Sequence, residues 1–308
     1  MKTTFPEKAK KFFTSWEFVL LLILFAEIVI FATKNPKFLM PRVLFGSLND
    51  IISICIISLF VTFVMITGGI DIQAGSIVGL SSIVLGVAWQ DGGMNIWAAV
   101  ALAVVVAGVC GALSGYFVAY CGVQPMVVTL GGSFLFTGVA LLVSNLSATE
   151  SYKGISGFPD SFLQISKFKL FGVIPCQVII FLVLAVIAYV LLNKTKYGRM
   201  VFLIGVNKDA AEFSGINTRL ITMTTYILSG ISAAIAGIIL TSYIGTAKSD
   251  IGVTFTLPII TAVVLGGTLS TGGKGSVVGT ALAAVVIGVL KFGLPLCFKV
   301  PQQYLDIP

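Results

Sequence analysis

No histidine occurs in the 308 residues. That removes the commonest general base and metal ligand, and with it Ser-His-Asp and Cys-His catalysis. Charge is scarce as well. Asp, Glu, Lys and Arg make up 10% of the chain, against about 25% in a soluble domain. The five cysteines, Cys55, Cys110, Cys121, Cys176 and Cys297, form no CxxC pair. A zinc ribbon or a disulfide framework is therefore not expected, and the cysteines read as small apolar residues in helices. No run of five like charges exists, so the net charge of +7 does not point to nucleic acid. Basic residues spread between apolar spans set topology and meet lipid headgroups. No catalytic, cofactor or metal site is expected.

Apolar residues make up 57% of the chain. A helical crossing needs ~20 of them, so the supply suffices for roughly nine crossings. The expectation is an all-α polytopic membrane protein. Nine apolar stretches stand out, at 16–32, 51–67, 74–90, 96–120, 127–145, 173–192, 220–243, 253–267 and 276–294. The first carries Glu17 and Glu27 and ends in Lys34-Asn35-Pro36 with no small-residue cleavage site. It reads as a span and not as a signal peptide. The 253–267 stretch is short and holds Pro258, which predicts a broken or tilted helix. The expected division is a polar cytoplasmic tail at 1–14, a transmembrane domain at 15–294 with a cytoplasmic segment at 193–219 inside it, and a short tail at 295–308. This orientation places Lys194, Lys196, Arg199, Lys208, Arg219 and Lys274 with the tail lysines on the inside, where basic residues are more concentrated.

Glycines recur four residues apart at Gly75 and Gly79, Gly111 and Gly115, and Gly275 and Gly279, the spacing that lets helix backbones approach in lipid. Two segments resemble one another. Gly68-Gly69 leads through Asp71 to Gly75-Ser76-Ile77-Val78-Gly79, and Gly266-Gly267 leads to Gly275-Ser276-Val277-Val278-Gly279. Such internal repeats with interrupted helices are common in transporters. Asp71 stands between two apolar spans, either as an acid on the solute path or as a helix cap at a turn. The run Gly272-Gly273-Lys274-Gly275-Ser276 fails as a phosphate loop. Thr268 stands where the first glycine belongs, and Gly275 follows the lysine. ATP binding by this chain is not expected. In the 193–219 segment, Asn207 is a candidate N-cap and Gly215 a candidate C-cap. They bracket a short helix whose expected surface is Ala210, Ala211, Phe213 and Ser214. Such a helix is either a knob for a cytoplasmic partner or an interfacial helix on the headgroups.

Four separated motifs resemble those of the sugar-type ABC importer permeases, the ribose permease group. They are Gly68-Gly69-Ile70-Asp71 before Gly75-Ser76; Pro125-Met126-Val127-Val128-Thr129-Leu130-Gly131; Gly198-Arg199 with Gly205, Asn207, Ala210-Ala211 and Ser214-Gly215-Ile216; and Gly266-Gly267 through Gly275-Ser276. Tyr152-Lys153-Gly154-Ile155-Ser156-Gly157-Phe158-Pro159, Val201-Phe202-Leu203-Ile204-Gly205, Lys248-Ser249-Asp250 and Pro258 through Gly267 are similar to the permeases of autoinducer-2 import. The acidic residue usual in ribose-type permeases around Thr256-Leu257-Pro258 is missing. The resemblance implies a transport subunit and not an enzyme, set in the cytoplasmic membrane among lipid. Its implied partners are a second similar permease, two cytoplasmic ATPases and an extracytoplasmic solute-binding protein, with no nucleic acid. Autoinducer-2 is the implied solute, with ribose or another monosaccharide as the alternative. An ion-gradient-driven secondary transporter is the alternative of another class. Gly68, Gly69, Asp71, Gly266 and Gly267 would border the path or a helix break. Gly198, Arg199, Asn207, Ala210, Ala211, Ser214 and Gly215 would belong to the ATPase-coupling segment. The family would supply ten helices, so the tail after Gln302-Gln303 is expected to stop short of a last span.

Overall fold

A computed structural model describes residues 15–149, 153–170, 172 and 174–298. The 1–14 tail, Tyr152 and the residues after Phe298, including Gln302-Gln303, lie outside the described residues. Twelve α-helices are described: α1 (Trp16–Lys34), α2 (Pro41–Ile66), α3 (Ala74–Gln90), α4 (Ile96–Ala119), α5 (Pro125–Ser144), α6 (Asp160–Lys167), α7 (Cys176–Lys194), α8 (Lys196–Val206), α9 (Lys208–Phe213), α10 (Thr218–Ile244), α11 (Thr256–Leu265) and α12 (Val277–Phe298). Each of the nine apolar stretches contains a helix, the 253–267 stretch only over Thr256–Leu265. Six of these helices, α1, α4, α5, α7, α10 and α12, are long and apolar enough to cross a membrane. The last helix runs through Pro295 to Phe298, so the expected boundary at 294 moves outward and the first four residues of the 295–308 tail are helical.

Local chemistry fixes the helix starts. Ser15, Asn95, Thr195 and Asn217 accept hydrogen bonds from backbone N–H groups of the first turns of α1, α4, α8 and α10. Pro41 and Pro125 open α2 and α5, where a missing N–H costs nothing. Gly245 closes α10 in the left-handed region at φ 73°.

The bundle is apolar outside as well as inside. Phe134, Leu142 and Val186 are among many exposed large apolar residues, a surface suited to lipid. Where α2, α3 and α10 meet, the core is built of apolar residues such as Ile56, Leu59, Ile77 and Ile239, with hydroxyls and glycines set among them. Thr62 bonds Thr280 between α2 and α12 at 2.9 Å, and Ser82 bonds Thr241 between α3 and α10 at 2.7 Å. Gly111 and Gly115 of α4 lie against the α10 backbone at Tyr226 and Met223, and Gly230 of α10 lies against Ala107. This is the close packing expected of small residues in lipid.

Gly75 and Gly79 differ from that expectation. They receive a non-helical strand of chain, Ser249 to Gly252, and not a helix. The chain after α10 descends along α3, from Ala247 beside Gly86 to Gly252 beside Gly75. Eleven residues of α3 rise ~16 Å over that distance. Only then does α11 begin. At 10 residues α11 spans ~15 Å, half of the hydrocarbon core. The broken helix expected around Pro258 is present, and its non-helical half is packed against α3 through Gly252 and the Ser249 backbone. Within the long 145–175 connection, β2 (Lys169–Leu170) pairs with β3 (Ile174–Pro175). At the end of the bundle that carries Ala247, the antiparallel pair β1 (Ile155–Ser156) and β4 (Thr246–Ala247) ties this connection to the end of α10. The α8–α9 segment lies at the opposite end.

Candidate functional site

Two glycine-rich links interrupt the bundle, at 67–73 between α2 and α3 and at 266–276 between α11 and α12. Gly68 takes φ 83° and turns the chain out of α2. The link then rises through the interior beside α10. Its carbonyls find hydroxyl partners on other helices: Thr129 donates to Ile70 O at 3.1 Å and Thr256 to Ile72 O at 3.1 Å. Asp71 is fully enclosed, at 1% exposure. One of its carboxylate oxygens accepts the Gln73 N–H at 3.1 Å and the other accepts Ser229 Oγ at 2.6 Å. The acid thus shapes the turn into α3 and fastens it to α10, while the N-cap position of α3 is Gln73. Gln73 is buried too, accepting Ser114 Oγ at 2.7 Å while its Nε2 and the nearby Tyr226 hydroxyl have no hydrogen-bond partner. Gly69 is required by close approach, because a Cβ there would meet the Tyr226 hydroxyl at 2.5 Å.

The second link is held from outside. Gly267, Gly272 and Gly273 take φ of 88°, 88° and 77°. The first turn of α1 clasps both ends of the link. Trp16 Nε1 donates to Leu265 O at 2.6 Å, and Glu17 accepts Ser276 Oγ at 3.0 Å. Ser276 in turn accepts the Gly279 N–H at 3.0 Å at the start of α12. Gly266 lies against Gly279 and Thr280. The two links meet, since Gly273 N donates to Ile66 O at 2.9 Å.

The 193–219 segment lies at the same end. It contains α8, which the sequence did not announce, and α9. Gly198 lets α8 fold back on α7, because a Cβ there would strike the Leu192 backbone; Arg199 is exposed. Asn207 caps α9 through the Ala210 N–H at 2.9 Å, and Gly215 leaves it at φ 81°, as expected. Ala211 departs from expectation. It is buried, so the outward surface consists of Ala210, Phe213 and Ser214, with Phe213 94% exposed. A cleft of about 240 Å³ opens between this segment and the first link, lined in part by Gly68, Gly69, Gln124, Ile204, Lys208 and Thr222. Asp71, Gly266 and Gly267 do not line it.

Residues 43–305 match the family of branched-chain amino acid transport system permease components. The chain belongs to this permease family. It is similar to the autoinducer 2 import system permease protein LsrD of Photorhabdus laumondii, 42% identical over 288 residues that cover 94% of this chain and 86% of the relative. The LsrD of Salmonella typhimurium is 42% identical over 289 residues, with the same coverage. That of Yersinia pseudotuberculosis is 42% identical over 281 residues, 91% of this chain and 84% of the relative. No solved structure gives a significant match. The chain is a permease subunit of an import system, a multi-pass protein of the inner membrane, and a transport component and not an enzyme.

Within this permease the structure brings Gly68 and Gly69 to the cleft, places Asp71 behind them as an internal fastener, and sets Gly266 and Gly267 at the start of the second link. Gln73, Ser114 and Ser229 belong to the same polar interior and were not singled out from sequence, and Thr129 stood there only within a motif. Their partners lie 41 to 158 residues away, and only burial marks them.

Proposed function

We propose that this permease imports autoinducer-2 under ATP drive, as one half of a membrane pore completed by a second, similar permease. The observation that carries the reading is 42% identity over 94% of the chain to permeases of autoinducer-2 import. An extracytoplasmic binding protein delivers the solute to the end carrying β1 and β4. Two ATPases act at the end carrying α8 and α9, which is cytoplasmic in this reading. Alternating access then requires ATP binding to favour one tilt of the bundle over the other.

The geometry supports a partner at α9. Phe213 stands clear of the bundle beside Asp209 and Glu212. An exposed aromatic suits a pocket on a protein. Ala210 and Ser214 leave room around it, and Ala211 holds the helix to the bundle. The glycines of the two links and Asp71 shape the helix breaks that border the path.

Co-purification of the neighbouring subunits, followed by titration of their binding protein with autoinducer-2, ribose and leucine, tests the solute. Saturation by autoinducer-2 alone is expected; saturation by ribose or leucine instead would overturn it. For the partner surface, Phe213→Ala should weaken capture of the ATPase roughly tenfold at unchanged membrane abundance. Unchanged capture would leave α9 as a headgroup helix.

A further inference from the structure

The carbonyl of Ile66 closes α2, where a helix leaves its last C=O groups without partners of their own. The partner that Ile66 O finds belongs to the other link: Gly273 N donates to it at 2.9 Å. Glycines from two distant stretches crowd this bond. A Cβ at Gly272 would stand 2.9 Å from both Ile66 O and Gly68 N. A Cβ at Gly205, in the last turn of α8, would collide with Ile66 O and Gly273 N together. Gly272 and Gly273 have positive φ, which by itself calls for glycine. Gly205 is different. It sits inside a helix, where glycine is a poor former, so the close approach accounts for it. The α8 backbone lies directly across the hydrogen bond that joins the two links.

We propose that Gly205 is a positioning residue for transport. It seats α8 on the Ile66–Gly273 hydrogen bond, so that a displacement of the 193–219 segment moves the ends of both helix breaks together. Backbone packed on backbone has no side-chain slack to absorb a shift. Asn207 joins α8 directly to α9, so a partner pulling on Phe213 pulls on this junction. The inference rests on the ATP-driven reading above and deepens it by naming where the segment engages the bundle.

The test uses the assembled complex in vesicles and counts solute imported per ATP hydrolysed. Gly205→Ala should keep ATP hydrolysis near the wild-type rate while the ratio falls roughly tenfold. Val206→Ala trims the side chain beside Gly273 without adding bulk. A Cβ added at Gly273 would stand 3.1 Å from one Val206 methyl carbon, and the valine side chain is 72% exposed. Its ratio should fall about threefold at unchanged abundance, a change that a purely structural role of an exposed valine does not produce. Gly108→Ala, whose Cβ would meet only Ile231 at 3.6 Å, should keep the wild-type ratio. A wild-type ratio in Gly205→Ala overturns the proposal. If that variant does not accumulate, a wild-type ratio in Val206→Ala overturns it. A wild-type complex that hydrolyses no ATP on solute delivery overturns the ATP-driven reading itself, whereas a coupled wild type with unchanged variants overturns the junction alone.

Discussion

The two glycine links share a sequence skeleton and are fastened in opposite ways. Past Gly69, which borders the cleft, the first runs through the interior, away from water that could satisfy its backbone. It therefore depends on side chains of other helices: Asp71 to Ser229, Thr129 to Ile70, Thr256 to Ile72, and Gln73 to Ser114. The second lies toward the rim. It closes on itself through left-handed glycines and is clasped by Trp16 and Glu17 of α1. A repeated glycine pattern thus fixes where the chain breaks, while the neighbouring polar residues fix how firmly each break is held. The two links meet where Gly273 N donates to Ile66 O at the end of α2 and Gly272 lies against Gly68.

The sharpest way to break the comparison is to cut an interior fastener. Asp71→Ala strands Ser229 Oγ and the Gln73 N–H in a buried place, at about 1–3 kcal/mol each. Most of the folded protein and most of the uptake should be lost together. Asp71→Asn keeps an oxygen acceptor and should retain abundance and uptake within about threefold. Retained abundance with abolished uptake would show that the charge itself serves transport. Next in size is Gly272→Ala, which combines a positive φ with contact on Ile66 O and Gly68 N. It should lower stability by about 1–3 kcal/mol, read as thermal unfolding in detergent. Gly68→Ala shares the positive φ but meets only Thr271 O at 3.6 Å and should cost roughly 1 kcal/mol. Equal losses would mean that the links do not lean on one another. At the rim, Ser276→Ala removes the cap of α12 at a cost of about 1 kcal/mol. Smallest is Trp16→Phe, which deletes the bond to Leu265 O, keeps an aromatic ring in place, and should cost under about 1 kcal/mol. A loss at the rim as large as that of Asp71→Ala would erase the contrast.

The helical spans were legible because lipid demands long apolar runs, and the half-length α11 because Pro258 shortens one of them. Asn207 and Gly215 announced α9 by cap chemistry alone. Helix α8 was not legible. Its basic residues and Gly198 read as a polar connection, and its buried Val201 and Ile204 make too short a stripe to notice. Ala211 could not be oriented from sequence, because a helix of 6 residues has no periodicity to show which side faces in. The anchors of the first link pair residues from four helices, and no local pattern brings Asp71 to Ser229. Gly205 stood in the sequence as part of a motif with no role of its own, and only the approach of Ile66 and Gly273 gives it one.

The central claim is that ATP hydrolysed at the α8–α9 end drives solute across this bundle. The most direct measurement is accumulation of labelled autoinducer-2 in proteoliposomes holding the permease pair and its ATPases, with the binding protein presented on one side. Accumulation against a gradient that needs ATP on the opposite side and persists when ionophores collapse ion gradients is the predicted result. Accumulation without ATP that collapses with the proton or sodium gradient would contradict it.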